Sequence, residues 1–382
     1  MMNPLEQKIV ERIRREGPIT FESFMDMALY DPEFGYYVSR GQRIGREGDF
    51  YTSSHLHAMF GAMVGKQIME MWESMDSPEG FTIVEMGAGE GYVCKDMLDY
   101  LKRAGSEEQS PKGSFYRTLQ YVIVERNELQ RQRQQERLNE YRDKIAWISD
   151  IRVAGTIRGC IFSNELLDAF PVHLVRMEDQ LREIYVGHNG TVFTDQAGDL
   201  SSDAIAKYFR DAGIEIEIGY TTEVNLRIRD WLLDIGAVLE KGFVFTIDYG
   251  HPAEEYYSED RNKGTLLCYH NHEFSEDPYK NIGNQDMTSH VNFSSVRRWG
   301  EEIGLRSLGY CSQGTFLLAM GIDQEIGKLA ATSGDYLFEL ARIKKLFLPQ
   351  GLGESHKVLI QYKGSELPKL QGFSMRNQLR FL

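Results

Sequence analysis

The sequence predicts an α/β protein built on a doubly wound, largely parallel sheet, and three observations predict it. Four short apolar runs, FTIVEM (81–86), QYVIVE (120–125), IAWIS (145–149) and GCIFSN (159–164), alternate with helical stretches, and a fifth, GFVFTIDYG, follows at 242–250. Short continuous runs of this kind read as strands buried on both faces in βαβ units. The first run passes directly into a glycine loop, GAGEG (87–91), and then into a helical pattern with Val93, Met97, Leu98 and Leu101 on one face. Between the fourth and fifth runs lies a segment of different character, VHLVRMEDQLREIYVGHNGTVFTD (172–195), with alternating stretches and the hairpin signal HNG. It predicts an antiparallel meander inserted into the sheet.

Composition narrows the class. With 382 residues, 42% of them hydrophobic, the chain can form one large domain with insertions or two domains. A net charge of −14 argues against a nucleic-acid surface. The four cysteines, Cys94, Cys160, Cys268 and Cys311, are widely spaced and read as reduced thiols. No apolar run approaches the roughly 18 residues of a membrane span. The first residues, MMNPLEQKIVERIRREG, read as an amphipathic helix with Leu5, Ile9 and Ile13 on one face rather than as a signal or transit peptide. The expectation is a cytoplasmic protein.

Along the chain, residues 1–80 form a helical N-terminal region, with a helix from Thr20 to about Tyr30 and a Gly-rich loop at 39–54. The sheet domain takes residues 81–171 and 242–363, and the inserted subdomain 172–241, with helices near 201–212 and 222–240. Beyond 255 a long polar loop (270–292), helices near Ser294 and at 335–346, and a last strand, HKVLIQYK (356–363), are expected. The basic, apolar tail 364–382 either docks on the body or stays mobile.

The glycine loop is G-x-G-x-G, not the G-x-G-x-x-G of dinucleotide sites, and no Gly-Lys-Ser/Thr follows. Glu85 stands two residues before Gly87, where a carboxylate would repel pyrophosphate but accept hydrogen bonds from a cationic or hydroxyl-bearing ligand. S-adenosylmethionine fits, with an ammonium, a sulfonium, ribose hydroxyls and no phosphate; a plain tight turn is the alternative. Gly87, Gly89 and Gly91 would let the ligand approach the backbone. Glu125, ending the second run, is placed for the ribose hydroxyls, or else begins the charged helix that follows it. Asp150, after the third run, is placed for the adenine amino group, or else caps a turn.

The fourth run ends in SNELLDAFPV (163–172), so Asn164, Glu165 and Asp168 stand at the carboxyl end of a strand, where ligands of such sheets bind. Methyl transfer to nitrogen needs alignment more than acid–base power. For a guanidinium acceptor, carboxylates would fix the planar fork. On a helical turn Glu165 and Asp168 would share a face, although acids also favour a helix start for its dipole alone.

GPITFESFMDMALYDPEFGYY, GDFYTSSHLHAMFG, IVEMGAGEGYVCKDML, SNELLDAFPV, IDYG and QDMTSHVNF occur in this order. Together they resemble the MidA-like family of methyltransferases, which includes the mitochondrial protein arginine methyltransferase needed for respiratory complex I assembly. The resemblance runs from about Gly17 to Tyr362. It implies a class I methyltransferase, Rossmann-like fold, S-adenosyl-L-methionine as donor, and a protein acceptor, with a complex I subunit as the family's expectation. It implies donor contacts from Glu85, Gly87, Gly89, Gly91 and Glu125, an active-site role for Asn164 and Glu165, and Asp49 and Thr52 near the cofactor. Relatives often read GPGRG where this chain has GAGEG, so Glu90 replaces a basic residue, and TAPE where it has TSSH (52–55).

Closely spaced histidines, His55 with His57 and His270 with His272, lack further ligands and read as polar loop residues rather than a metal site. His290 lines a substrate cleft by the resemblance. Tyr30, Phe34, Tyr36 and Tyr37 read as packing. Three functions stay in view: a methyltransferase acting on a protein arginine through Glu165 and Asp168, a non-catalytic S-adenosylmethionine-binding assembly factor, and, disfavoured by the loop spacing, a nicotinamide dehydrogenase. Oligomeric state is open.

Overall fold

A computed structural model describes residues 2–38, 53–105 and 111–382. The chain forms two compact units, one of residues 1–51, 167–231 and 251–295 and one of residues 52–166, 232–250 and 296–382.

The second unit carries the sheet. Its strands are β1 (Thr82–Met86), β2 (Gln120–Val124), β3 (Ile145–Ile148), β4 (Ile157–Asn164), β5 (Leu239–His251), β6 (Arg306–Ser312) and β7 (His356–Lys363). They lie in the order β6-β7-β5-β4-β1-β2-β3. β1 to β5 pair in parallel, and β7 runs antiparallel to both β5 and β6. The doubly wound expectation holds, and the expected final strand is the antiparallel one. The order reverses at the β1–β4 pair, and in sheets of this kind ligands bind at the carboxyl ends beside such a reversal.

Apolar side chains on these strands, such as Ile83, Tyr121, Cys160, Phe162, Phe245 and Ile360, are buried in one hydrophobic core. The helices Met59–Ser74 and Tyr92–Ala104 add Phe60, Met63, Val93, Met97 and Leu101 to it. These two helices pack closely because the first carries Gly61 and Gly65. A Cβ at Gly61 would lie 2.6 Å from Asp96 Cβ, and one at Gly65 2.9 Å from Met97 Cγ. The tail docks: Leu370 and Phe373 enter the core, and the Gly372 N–H donates to Gln67 Oε1 at 3.1 Å. All four cysteines are buried free thiols.

The first unit opens with the helix Pro4–Glu16, capped by Asn3 and Glu6, which accept each other's backbone N–H groups, and it buries Leu5, Ile9, Val10 and Ile13. The Thr20 hydroxyl caps Phe21–Tyr30 as expected, accepting the Ser23 N–H at 3.1 Å. Tyr36 is fully buried and packs edge-on to Tyr37, which stacks on Tyr30. The meander is present as His173–Met177, Leu181–His188 and Phe193–Gly198, in a five-stranded antiparallel sheet. At its hairpin Asn189 Oδ1 accepts the N–H groups of Thr191 and Val192.

Two expectations need correction here. Helix was expected from about 222, but Thr221–Val224 is a strand paired with His173–Met177, and the helix is Arg227–Val238. The run TTEV favours extended backbone, and its acid, Glu223, is buried while accepting the N–H groups of Thr265 and Leu266. The polar stretch 270–292 is also not simply loop. Leu267–His270, Glu273–Ser275 and Asp286–Thr288 form a three-stranded sheet.

The helix pair gives a stability test. Gly61→Val should lower the unfolding free energy by about 1–3 kcal/mol in urea, through overpacking against Asp96. Gly327→Ala, in the open helix Ile322–Thr332 with nothing within 4 Å of the new Cβ, should instead gain up to about 1 kcal/mol.

Candidate active site

The glycine loop follows β1 as expected. Gly87, Gly89 and Gly91 have φ of 77°, 51° and 81°, in the left-handed region that favours glycine, and Gly91 starts the helix Tyr92–Ala104. Gly87 also faces Leu166, whose Cδ1 would lie 2.9 Å from an added Cβ. The loop is tied to its neighbours by two glutamines. The Gly89 carbonyl accepts Gln130 Nε2 at 2.6 Å and Gln134 Nε2 at 2.8 Å. Gln134 Nε2 donates also to Glu125 Oε2 at 3.1 Å, and Gln134 Oε1 accepts Trp147 Nε1 at 3.0 Å. One fully buried amide thus joins the loop, the end of β2 and β3. Glu125 further accepts the Asn127 N–H at 2.8 Å. Burial raises its pKa, against the opposing pull of these donors. Glu90, the departure from the family pattern, lies 3.3 Å from Arg137 Nη2 and 4.0 Å from Arg133 Nη1, so arginines of the adjacent helix offset the charge it adds to the loop.

Glu85 is 2% exposed, and its Oε2 accepts the Tyr121 hydroxyl at 2.7 Å. Burial pushes its pKa up to about 7, with the Tyr121 bond pulling the other way. Asp150 caps the short helix Ile151–Val153, accepting the Arg152 N–H at 2.9 Å and pairing with the Arg152 guanidinium. The Arg152 side chain and N–H together hold its pKa down to about 2. Asp49 and Thr52 lie outside the described residues.

At the end of β4 the chain turns sharply. Glu165 takes φ 50°, unusual for a residue other than glycine. Its N–H donates to the Ile247 carbonyl at 2.9 Å, and the Leu166 N–H to Asp248 Oδ2 at 3.1 Å. Asp248, fully buried at the end of β5, thereby fixes the turn that sets Leu166 against Gly87. Residues 165–170 form bends and a turn, not a helix. The expected helical face shared by Glu165 and Asp168 therefore does not form, because the backbone leaves the helical region at Glu165 and Pro171 soon follows. Asp168 belongs to the first unit, is 5% exposed, and its carbonyl accepts the Ser289 N–H at 2.9 Å.

Glu165 and Asn164 are brought together. Glu165 Oε1 accepts the Ser53 N–H at 3.0 Å and Asn164 Nδ2 at 3.1 Å, and lies 3.7 Å from His356 Nε2. Burial raises the carboxyl pKa, but His356, the Ser53 N–H and the Asn164 amide outweigh it, so the pKa falls below the ordinary carboxylate range. Beside it, the buried Ser163 Oγ and Asn164 Oδ1 have no hydrogen-bond partner among the described residues. Buried polar atoms without partners await a ligand or water. A flexed glycine loop, carboxylates and open polar atoms suit a cationic, hydroxyl-bearing ligand without phosphate. Among the described residues no group of three or more His, Cys, Asp and Glu could hold a metal ion.

Sequence reasoning missed Gln134, Asp248, Ser53 and His356. Asp248, in the IDYG motif, and Ser53, in GDFYTSSHLHAMFG, lay within quoted motifs, whereas Gln134 and His356 carried no signal.

Two outcomes follow from this geometry. Gln134→Leu should cost about 1–3 kcal/mol in urea unfolding, since it strands the Trp147 N–H and removes one of the two donors to the Gly89 carbonyl, and should speed amide exchange at residues 87–91. Glu85 should make the ligand-free chain less stable as pH rises. Unfolded, it ionises near its ordinary 4.5, and folded near 7, so its contribution is full below 4.5 and is lost by about pH 7. The loss should reach about 3 kcal/mol, and Glu85→Gln should flatten that part of the stability–pH curve.

Residues 63–311 match the model of a family of S-adenosyl-L-methionine-dependent methyltransferases, Methyltransf_28. The protein arginine methyltransferase NDUFAF7 homolog, mitochondrial, of Drosophila melanogaster is 25% identical over 94% of this chain and 85% of its own length. Human protein arginine methyltransferase NDUFAF7, mitochondrial, is 27% identical over 87% of this chain and 77% of its own. A COG1565 superfamily protein from Burkholderia thailandensis, solved with bound S-adenosyl-homocysteine, matches the fold with a TM-score of 0.89 at 28% identity, covering 100% of this chain and 99% of that one. The expectation of a cytoplasmic protein does not stand against these relatives, which are named as mitochondrial. It rested on the lack of a leader pattern, which fixes no compartment. The site and the matches agree on the donor, S-adenosyl-L-methionine, and the chain belongs to the MidA-like family of S-adenosyl-L-methionine-dependent methyltransferases.

Proposed function

We propose that this methyltransferase modifies an arginine side chain of a protein client, and that a respiratory complex I subunit is the first client to test. The observation that carries the reading is the ionised Glu165, its side chain 9% exposed, at the carboxyl end of β4, beside polar atoms without partners among the described residues. An ionised carboxylate accepts two N–H groups of a guanidinium fork and offsets its charge, which a neutral acid cannot do. The names of the relatives, arginine methyltransferases at 25% and 27% identity, support the same acceptor.

S-adenosyl-L-methionine, when bound, supplies a methyl group activated on a sulfonium sulfur. On this reading Gly87, Gly89 and Gly91 admit its methionine part to the backbone, Glu125 accepts its ribose hydroxyls, and Asp150 borders its adenine. Glu85, two residues before the first loop glycine, is a further donor-side carboxyl, and the family resemblance adds Asp49 and Thr52 to the donor contacts. Glu165 and Asn164 orient the acceptor nitrogen towards the donor. The work of the protein is alignment and charge complementarity.

Labelled donor, incubated with the chain and an extract of cells lacking it, should yield methylarginine in an acid hydrolysate of extract protein. Glu165→Gln should slow transfer about 100-fold while leaving donor binding nearly unchanged. Glu125→Ala should weaken donor binding about tenfold by calorimetry. Label in lysine or in small molecules instead of arginine would contradict the proposed acceptor. Tight donor binding with no transfer would favour the assembly-factor reading.

A further inference from the structure

Among the described residues, one imidazole stands beside Glu165. His356, the first residue of β7, is 5% exposed and places Nε2 3.7 Å from Glu165 Oε1. Among the described residues it is the ion-pair partner of Glu165. The imidazole is held from its other side: Nδ1 lies 3.1 Å from Ser355 Oγ, and the ring lies 5.5 Å from that of Tyr249, its register partner on β5. The other charged groups nearby are engaged elsewhere. Lys357 Nζ donates to the Glu354 carbonyl at 2.7 Å and to its carboxylate at 3.2 Å. Asp248 accepts the N–H groups of Leu166 and Tyr249.

The contacts of Glu165 are lopsided. The Ser53 N–H, the Asn164 amide and His356 all gather on Oε1. That leaves Oε2 for a ligand. A buried carboxylate with no countercharge tends to take up a proton, and would then present a donor where a cationic acceptor needs an acceptor atom.

We propose that His356 is a positioning residue for the methyl acceptor: it keeps Glu165 charged and turned so that Oε2 meets the acceptor's N–H groups. The inference rests on the arginine reading above for the acceptor, but the His356–Glu165 pairing can be tested without it.

The chain labelled with 13C at glutamate carboxyl carbons would be titrated by NMR, with Glu165→Gln identifying the Glu165 signal. In the native chain that signal should titrate below the ordinary carboxylate range. In His356→Gln, and in His356→Asn should the first variant fail to fold, the midpoint should rise by about one pH unit or more. An unmoved midpoint in a folded variant overturns the proposal. The second readout is transfer of labelled methyl to the extract. His356→Gln should slow it about tenfold with the affinity for S-adenosyl-homocysteine changed by less than about threefold, and should add little to the defect of Glu165→Gln. A loss that multiplies with that of Glu165→Gln, or that follows donor affinity, overturns the role in acceptor positioning. Should the native chain methylate no arginine, the arginine reading fails, and the carboxyl titration still decides whether His356 governs Glu165.

Discussion

The parallel pairing of β1 with β4 is the constraint on which the site depends. Glu85 is in register with Phe162 and Met86 with Ser163, so the glycine loop and the Asn164–Glu165 turn leave the sheet side by side. Gly87 then meets Leu166, and a side chain at Gly87 would collide with it. β2 and β5 complete the arrangement from either side. Through Gln134, the end of β2 holds the Gly89 carbonyl, and through Asp248 the end of β5 holds Leu166. The glycine loop and the Asn164–Glu165 turn are thus both fixed by hydrogen bonds from neighbouring elements.

Two buried glutamates at this junction are driven in opposite directions. Glu85 has one neutral hydroxyl for company, and burial prevails. Glu165 has an imidazole, a backbone N–H and an amide, and these prevail over burial. Such a separation between neighbouring acids often marks a division of roles. Here it pairs a carboxyl that tolerates neutrality, just before the glycine loop, with one kept charged at the end of β4.

The sequence made some of this legible and hid the rest for physical reasons. The loop, the strand runs and the acids after them are local patterns, since backbone conformation and strand ends leave their mark on adjacent residues. Glu125, Asn164 and Glu165 stand at strand ends as expected. Gln134 could not be read this way, because a glutamine within ELQRQRQQER resembles a solvated face until the fold sets it on Gly89. His356 is distant in sequence from Glu165 and meets it only through the antiparallel return of β7. Helical spacing misjudged Asp168, since the chain turns at Glu165 with a positive φ and Pro171 closes the segment. Asp150 shows the converse: its place after a strand was foreseen, and its visible partners are those of a turn cap.

The central claim is that one crevice at the β1–β4 reversal holds the donor against the acceptor turn. Hydrogen exchange with and without saturating S-adenosyl-homocysteine tests it most directly. The account predicts slowed exchange at the amides of residues 87–91, 125–127 and 164–166, with the strands of the first unit unchanged. Protection confined to other segments, despite measurable binding, would contradict it.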